Sequence, residues 1–450
     1  MNPADSEILL DAYNLRLRHG SGIKTYGLTL MDALRRLGAS VSLLSDRGAA
    51  RTRHEPLQEV LFHDVETRPG RVALGLRRTR DQVRRAVAPV RALPVPRHHV
   101  IPDASRPGLA SADRVYAVRD VYDVANGLYR TTRLTTRVLP PGRARLWHAT
   151  TPLPIRVPGL PMVTTVHDLV PLRVPYATLD HKKTFHRLVS DALRDSALVL
   201  TVSECTRRDL LTWFQVPEEK VVTTWQAVPH MPDLPAGVDP ALALRPYGLE
   251  PGRYVLFVGN IEPKKNLVAL AQAMSMLGDD LPLVVVGRKA WLYEEQLEQM
   301  ESVLGLATNR RSSARERLLL LDWVPTPTLR VLYTHAACLA FPSVYEGFGL
   351  PPLEAMRHDC PVVCSDNSSL PEVCADAALY FDPDQPDDIL ARIETVLGDE
   401  DERKRMVAEG RRRVAHFSPE RYAERLGAAY ARIPEGRLAE GGAAGNGRAG

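Results

Sequence analysis

Cysteine is scarce in this 450-residue chain, with five in all and no CxxC pair among them. An odd number without metal-ligand spacing excludes a disulfide framework and a structural zinc ribbon, and points to a reducing compartment. Long apolar runs are missing too. Nothing approaches the roughly 18 to 20 uninterrupted apolar residues of a bilayer span. The first residues, MNPADSEILLDAY, carry no basic segment before their apolar run, so neither a membrane span nor a signal peptide is expected and the location read is cytoplasmic. Aromatics make up only 6% of the chain and are not interleaved with its arginine clusters, which counts against nucleic acid as a partner. What is present, 44% apolar and 25% charged residues, is ordinary globular composition. At about 150 residues per domain it predicts two or three domains.

The net charge of +4 conceals an asymmetry. Residues 1–236 hold 34 Lys+Arg against 23 Asp+Glu, and the remainder 24 against 31, so the halves differ in sign and in the partners they suit. Both read as alternating strands and helices. Apolar Ile8 to Tyr13 leads into Gly20-Ser21-Gly22-Ile23-Lys24-Thr25, a helical pattern from about Thr25 to Leu37 and a strand at Val41 to Leu44, the opening of a doubly wound sheet. The loop lacks the third glycine of a dinucleotide fingerprint, which disfavours NAD or FAD. Residues 47–143 give a weak signal, apart from Arg114 to Tyr122 as a strand and Arg71 to Leu93 as a basic amphipathic helix. There Val83, Val87 and Val90 stand among Arg77, Arg78, Arg80, Arg84, Arg85 and Arg91, with Pro89 near the end. Strands follow at Arg145 to Ala149, Met162 to Val166 and Ala197 to Val202, ending near His148, His167-Asp168 and Ser203-Glu204. In open α/β sheets such carboxyl ends face ligands. A Pro- and Gly-rich linker, Val228 to Pro251, separates a second series: Tyr254 to Val258, Leu283 to Val286, Leu318 to Leu321, Ala337 to Phe341 and Pro361 to Ser365, then a final helix from about Pro419 to Tyr430.

Two segments carry chemistry. The strand Tyr254 to Val258 runs into Gly259-Asn-Ile-Glu-Pro-Lys-Lys-Asn266, with Asn266 read as the N-cap of a helix. Lys264 and Lys265 then lie at the positive end of that helix, where a phosphate or diphosphate between lysines and amides relieves the repulsion; a solvated lysine pair is the bland alternative. The second segment, Phe341-Pro-Ser-Val-Tyr-Glu-Gly-Phe-Gly-Leu-Pro-Pro-Leu-Glu-Ala-Met356, places Gly347 and Gly349 where backbone can approach a ligand and Pro351-Pro352 at a helix start. Glu354, read into the first helical turn, would face the same ligand end as Glu346. A capped helix explains Glu354 alone, not Glu346 with two glycines.

GNIEPKKN, GRKAWLYEE, SVYEGFGLPPLEAM and SSLPEV together resemble the retaining GT-B glycosyltransferases of family 4, especially bacterial mannosyltransferases of O-antigen and other surface polysaccharides. VHDLVPL, SECTRRDL and GSGIKTYGLTL of the first half are similar to that family as well, whereas residues 47–143 show no resemblance. The resemblance implies an α/β fold of two Rossmann-like domains facing across a cleft. These would be an acceptor-binding domain at 1–236, a nucleotide-sugar domain at 237–415, a terminal helix at 416–433 returning to the first domain, and a disordered tail at 434–450. By the same resemblance Glu346 contacts sugar hydroxyls near the reacting carbon, Glu354 holds the ribose, and Lys265 neutralises the diphosphate. Lys264 stands in for an arginine that many relatives have where this chain has Asn260. The Gly349-Leu350 amides face a phosphate, Trp323-Val324 line the base pocket, Gly22 lets the first loop close, and His167 lies near the transferred sugar. His148 reads as structural.

The implied reaction is retaining transfer of a hexosyl group, mannosyl from GDP-mannose, onto a glycan or polyprenyl-linked glycan. UDP- or dTDP-sugars remain alternatives, as does a catalytically silent nucleotide-sugar scaffold. Diphosphate departure favours lysines over a metal; no trusted DxD pair is present, so no metal or other cofactor is expected. A hydrolase would instead need two carboxylates flanking the bond. The arginine stretch has two readings: a solvated helix face, or docking on an anionic membrane surface.

Overall fold

The computed structural model describes the whole chain except residues 5, 17–21, 50–51, 53, 65–70, 102, 104–106, 233–239, 279–280, 307–316 and 435–450. The expected disordered tail therefore lies almost entirely outside the described residues, as do Gly20 and Ser21 of the first loop and part of the linker.

Two mainly parallel sheets organise the molecule, their central strands short, apolar and buried on both faces, the pattern that helices on either side impose. The first has eight strands in the spatial order Val221–Thr223, Leu198–Thr201, Met162–Val166, Leu146–Ala149, Glu7–Asp11, Ser40–Ser45, Arg114–Ala117 and Leu93–Val95. Only the last is antiparallel, and as an edge strand it accommodates Pro94, which has no N–H to donate. The second sheet runs Leu318–Leu321, Leu283–Val286, Val255–Val258, Cys338–Phe341, Val362–Ser365 and Ala378–Phe381, all parallel. In each sheet the first strand pairs on one side with the next strand in sequence and on the other with a much later one. That reversal opens a crevice at the carboxyl ends. The crevice lies beyond Asp11 and Ala149 in one sheet and beyond Val258 and Phe341 in the other.

Residues 47–143, opaque in sequence, supply the helices Glu55–His63, Arg71–Val87 and Val121–Thr132 and part of a small three-stranded sheet. The basic helix ends two residues before Pro89, as proline demands. Its apolar stripe does not face a core, because Val83 and Val87 are exposed, as is Leu76. Arg77 instead pairs with Asp120 at 2.6 Å and Arg78 with Asp123 at 2.5 Å, while Arg85 is buried and donates to Arg119 O at 2.7 Å. Three of the six arginines expected on an outer basic face thus hold the helix to the carboxyl end of Arg114–Ala117. The expected strand reaching Tyr122 stops at Ala117, and Val121 already begins a helix.

The terminal helix Pro419–Ala431 starts with Ser418 as cap and Pro419 at its first position. It crosses to the first sheet's helix Gly22–Arg36, with Arg36 on Glu420 at 2.7 Å and Gly427 so near Leu37 that a Cβ there would lie 3.1 Å from Leu37 Cδ2. His148, fully buried, bonds Tyr430 Oη at 2.6 Å and Thr165 Oγ1 at 2.8 Å. Both ring nitrogens are consumed in fixing that helix, and burial takes its pKa down to about 3.

Candidate functional site

The carboxyl edge of the second sheet gathers the charged residues. After Val255–Val258 the chain approaches the loop that follows Leu283–Val286. A Cβ on Gly287 would lie 1.7 Å from Gly259 O, so only glycine fits there. Pro263–Lys265 forms a single 3-10 turn directly before the helix Leu267–Met276. Asn266 occupies the N-cap position but does not cap: it is left-handed, at φ 53°, and its side-chain amide donates to Pro383 O at 2.7 Å. The two motif segments are joined by Val344 N donating to Lys264 O at 2.9 Å.

Lys265 and Glu346 meet there as a buried ion pair, 8% and 9% exposed, with the ammonium 4.9 Å from the centre of the Phe341 ring. Burial pushes the Glu346 carboxyl up, but Lys265 and Lys264 outweigh it and hold it below its ordinary value. Burial likewise opposes the charge on Lys264, yet Glu346, Asp168 and Glu262 raise its pKa well above the usual lysine range. Its Nζ lies 3.5 Å from Glu262. The result is a compact set of fixed charges with one lysine already committed to a carboxylate. The two serines that open the SSLPEV segment hold the Glu346 loop in place. Ser368 Oγ accepts from Glu346 N at 3.0 Å, and Ser369 Oγ donates to Glu346 O and Phe348 O, each at 3.0 Å.

Gly349, at φ +92°, opens the helix Leu350–Arg357 with Pro351 and Pro352 in its first turn. Glu354 falls beyond that first turn, one step deeper than the sequence reading placed it. Tyr333 Oη donates to it at 2.9 Å, and burial lifts its pKa to about 7. The two glutamates of the motif therefore sit in opposite electrostatic states. At the neighbouring strand end Trp323 is 61% exposed and Val324 buried. Asn260 is exposed, as is Gly22, around which a Cβ would meet nothing.

The first sheet contributes His167 at the end of Met162–Val166. Its Nε2 donates to Thr150 O at 2.8 Å, and the edge of its ring meets Tyr26 with centroids 4.7 Å apart. Burial lowers its pKa, against the opposing pull of Thr150 O and Asp168, which favours the neutral ring, and the bond to a carbonyl places a proton on Nε2. The two edges touch at this point. A Cβ on Gly347 would lie 2.2 Å from His167 O and 2.9 Å from Asp168 Cβ, and Thr206 Oγ1 donates to His167 O at 2.9 Å. Around this contact Tyr345 Oη donates to Asp209. Glu372, from the SSLPEV segment, accepts Glu204 N at 2.7 Å, Cys205 N at 3.0 Å and Trp225 Nε1 at 2.7 Å. A carboxylate from one side thus occupies a helix N-terminus of the other. Such pairings join residues more than a hundred positions apart, so no local signal announces them. Among the described residues no three His, Cys, Asp or Glu side chains gather as a metal site would require.

Residues 245–413 match the family described as "Glycosyl transferases group 1" and residues 96–229 match "Glycosyltransferase Family 4". The chain is 35% identical over 263 residues to the O-antigen chain mannosyltransferase B of Escherichia coli, covering 57% of this chain and 66% of that one. It is 30% identical over 221 residues to the O-antigen chain mannosyltransferase RfbU of Salmonella typhimurium, covering 49% and 56%. It therefore spans somewhat less than two thirds of these relatives' own length. Its fold is similar to that of sucrose-phosphate synthase from Thermosynechococcus elongatus, with TM-score 0.65 and 16% identity over 95% of this chain and 99% of that one. Anabaena Alr3699/HepE, solved with UDP and glucose, gives 0.62 and 14% with the same coverage.

Proposed function

On the premise that the chain belongs to the GT-B glycosyltransferases of family 4, we propose that it moves a mannosyl group from GDP-mannose, with retention, onto a glycan or lipid-linked glycan of a surface polysaccharide. The observation that carries this is the Lys264-Lys265-Glu346 cluster at the second sheet's switch point, pressed through Gly347 against His167. Rupture of the bond between the anomeric carbon and the phosphate places charge on the departing diphosphate. Fixed lysines stabilise that charge more in the transition state than in the ground state. Lys265 is committed to Glu346 and Lys264 lies at the looser distance of 3.5 Å from Glu262, so in this reading Lys264 is the lysine that turns to the diphosphate and takes the place of a cation at Asn260. The Gly349-Leu350 amides lie at a helix start, where phosphate is favoured. Trp323 offers an exposed ring for the base, Glu354 a carboxyl for ribose, and Gly22 room for the first loop to close.

His167, neutral and with Nε2–H engaged, presents Nδ1 as an acceptor for a sugar hydroxyl and is not the proton donor of the reaction. The reading assigns no metal, and activity should survive a chelator. Mannose is favoured by the names of the relatives; the alternatives are UDP- and dTDP-sugars. Thermal shift against a panel of nucleotide sugars, followed by assay of slow hydrolysis to the free diphosphate, decides the donor. GDP-mannose should give the largest shift and release GDP, and the anomeric coupling constant of the product should report retention. Stabilisation with neither hydrolysis nor transfer to any acceptor would leave a silent scaffold. Docking on anionic lipid is proposed in narrowed form, through exposed Arg80, Arg84 and Arg91 beside Leu76, Val83 and Val87. Sedimentation with anionic but not neutral liposomes is the expected result, and charge-independent sedimentation would remove this part.

A further inference from the structure

His167 does not stand alone. Its strand neighbours in the first sheet are Leu146–Ala149 and then Glu7–Asp11, so Thr150 and Asp11 lie beside it on the same carboxyl edge. Asp11 is fully buried. Its Oδ2 accepts Thr150 N, and its Oδ1 accepts Thr150 Oγ1 at 3.1 Å and Tyr13 N at 3.0 Å. Among the described residues no lysine or arginine pairs with it. Burying a carboxylate without a cation is costly, and here burial raises its pKa to about 6.

Three donors converging on two oxygens explain why a carboxylate is nonetheless used. An amide in its place would turn an NH₂ toward an N–H, and only an acceptor-only group suits all three. The effect is to hold Thr150 by both its amide and its hydroxyl, which sets the direction of its carbonyl. That carbonyl is the one that accepts the hydrogen bond of His167 Nε2–H at 2.8 Å. Among the described residues nothing hydrogen-bonds His167 Nδ1, whereas both nitrogens of buried His148 are occupied. The edge thus carries one histidine closed off by its partners and one held with a single nitrogen open.

We propose that Asp11 is a positioning residue: by clamping Thr150 it fixes His167 in the Nε2–H tautomer and aims Nδ1 at the hydroxyl of the transferred sugar. This rests on the assignment of His167 to the sugar site. Asp11 itself touches no substrate; its contribution is tautomer and orientation, the service a carbonyl or carboxylate commonly renders to a working histidine.

The test is a double-mutant cycle with Asp11→Asn and His167→Ala, read as turnover with the identified donor and as the imidazole ¹⁵N spectrum, His167 being assigned by its loss in His167→Ala. Asp11→Asn should lower kcat by about ten- to a hundredfold, the scale of a misaligned group, with donor KM little changed. It should also shift His167 from the single Nε2–H tautomer to a mixture. In the His167→Ala background the same substitution should add almost nothing, since both act through one group. An equal cost in both backgrounds, or an unchanged ¹⁵N pattern, overturns the proposal. If His167→Ala alone leaves turnover intact, the sugar-site reading fails while the ¹⁵N result still judges the clamp. Should Asp11→Asn not fold, Thr150→Val, which removes only the Oγ1 contact, should give a smaller loss with the same dependence on His167. A loss independent of His167 would again overturn the proposal.

Discussion

The two carboxyl edges that meet at Gly347 are built by opposite means. The second sheet's edge concentrates charge in continuous segments: Glu262, Lys264 and Lys265 in one loop and Glu346 in another, paired in a buried space. The first sheet's edge is held by hydrogen bonds rather than ion pairs, between residues drawn from separate strands, with His167, Thr150 and Asp11 spread over more than 150 positions. The first arrangement is suited to a ligand that brings or develops charge. The second is suited to aiming dipoles at a neutral sugar. Disturbing the ion-paired edge should therefore affect both stability and binding, and disturbing the hydrogen-bonded edge should affect turnover most.

The largest effect is expected at Lys265. Lys265→Ala leaves the Glu346 carboxyl buried with Lys264 as the remaining cation acting on it among the described residues, and breaking a buried ion pair from one side costs about 3–5 kcal/mol, reduced here by the lysine that remains. Chemical denaturation should show the loss, and calorimetry should show weakened nucleoside diphosphate binding. Affinity equal to the parent would place the phosphate elsewhere. His167→Ala should separate the edges most cleanly. Turnover should fall roughly a hundredfold, as when one well-placed polar contact to a reacting group is removed, while nucleotide affinity measured alongside stays close to the parent. A parallel loss of both would contradict the division. Gly347→Ala tests the contact itself. The new Cβ would meet a backbone carbonyl at 2.2 Å, which cannot rotate away, so the edges must move apart. Overpacking of this kind costs about 1–3 kcal/mol. A larger radius of gyration in solution scattering, with slower transfer and near-normal nucleotide binding, is the outcome consistent with a contact that only joins the edges.

The same contrast governs what could be read from the sequence. The second edge was legible because its residues are neighbours in the chain. GNIEPKKN and SVYEGFGLPPLEAM each bring strand end, turn glycine and charged group together, and the strands Leu283–Val286 and Leu318–Leu321 fall where apolar runs placed them. Even there, backbone geometry overrode local propensity. Asn266 has a capping side chain but spends it on Pro383, and Glu354 lies deeper in its helix than spacing implied. On the first edge His167 and Gly22 stood out, His167 because its neighbour Asp168, a strand end and the family resemblance mark it. Asp11 and Thr150 are ordinary strand termini until the order of the sheet makes them adjacent. The helix Arg71–Val87 was legible as a helix but not in its facing, since Asp120 and Asp123, which turn Arg77 and Arg78 inward, stand some 40 residues away. Glu372 acts on a helix start 168 positions from it.

The smallest effect lies within the charged edge, between its two glutamates. Glu346 is held below its ordinary pKa by two lysines, whereas Glu354 accepts from Tyr333, with no cation beside it among the described residues, and is raised to about 7 by burial. For Glu354 the folded chain keeps a proton that the unfolded chain gives up above about 4.5. The unfolded state therefore binds fewer protons across the window from about 4.5 to 7, and stability falls as pH rises through it. Glu346 works in the opposite sense, adding stability above its unfolded value that is lost only as pH drops below it. Glu354→Gln should reduce the decline in stability between pH 5 and 7 by about 1 kcal/mol, a discounted figure for a group only partly withdrawn from water. Denaturation midpoints at several pH values measure it. Asp11, raised to about 6 by burial, slopes the same way, so some decline should persist in Glu354→Gln and vanish only when Asp11→Asn is added. A slope unaltered by Glu354→Gln would mean that the carboxyl is ionised at neutral pH, and that both ends of the motif carry the same charge.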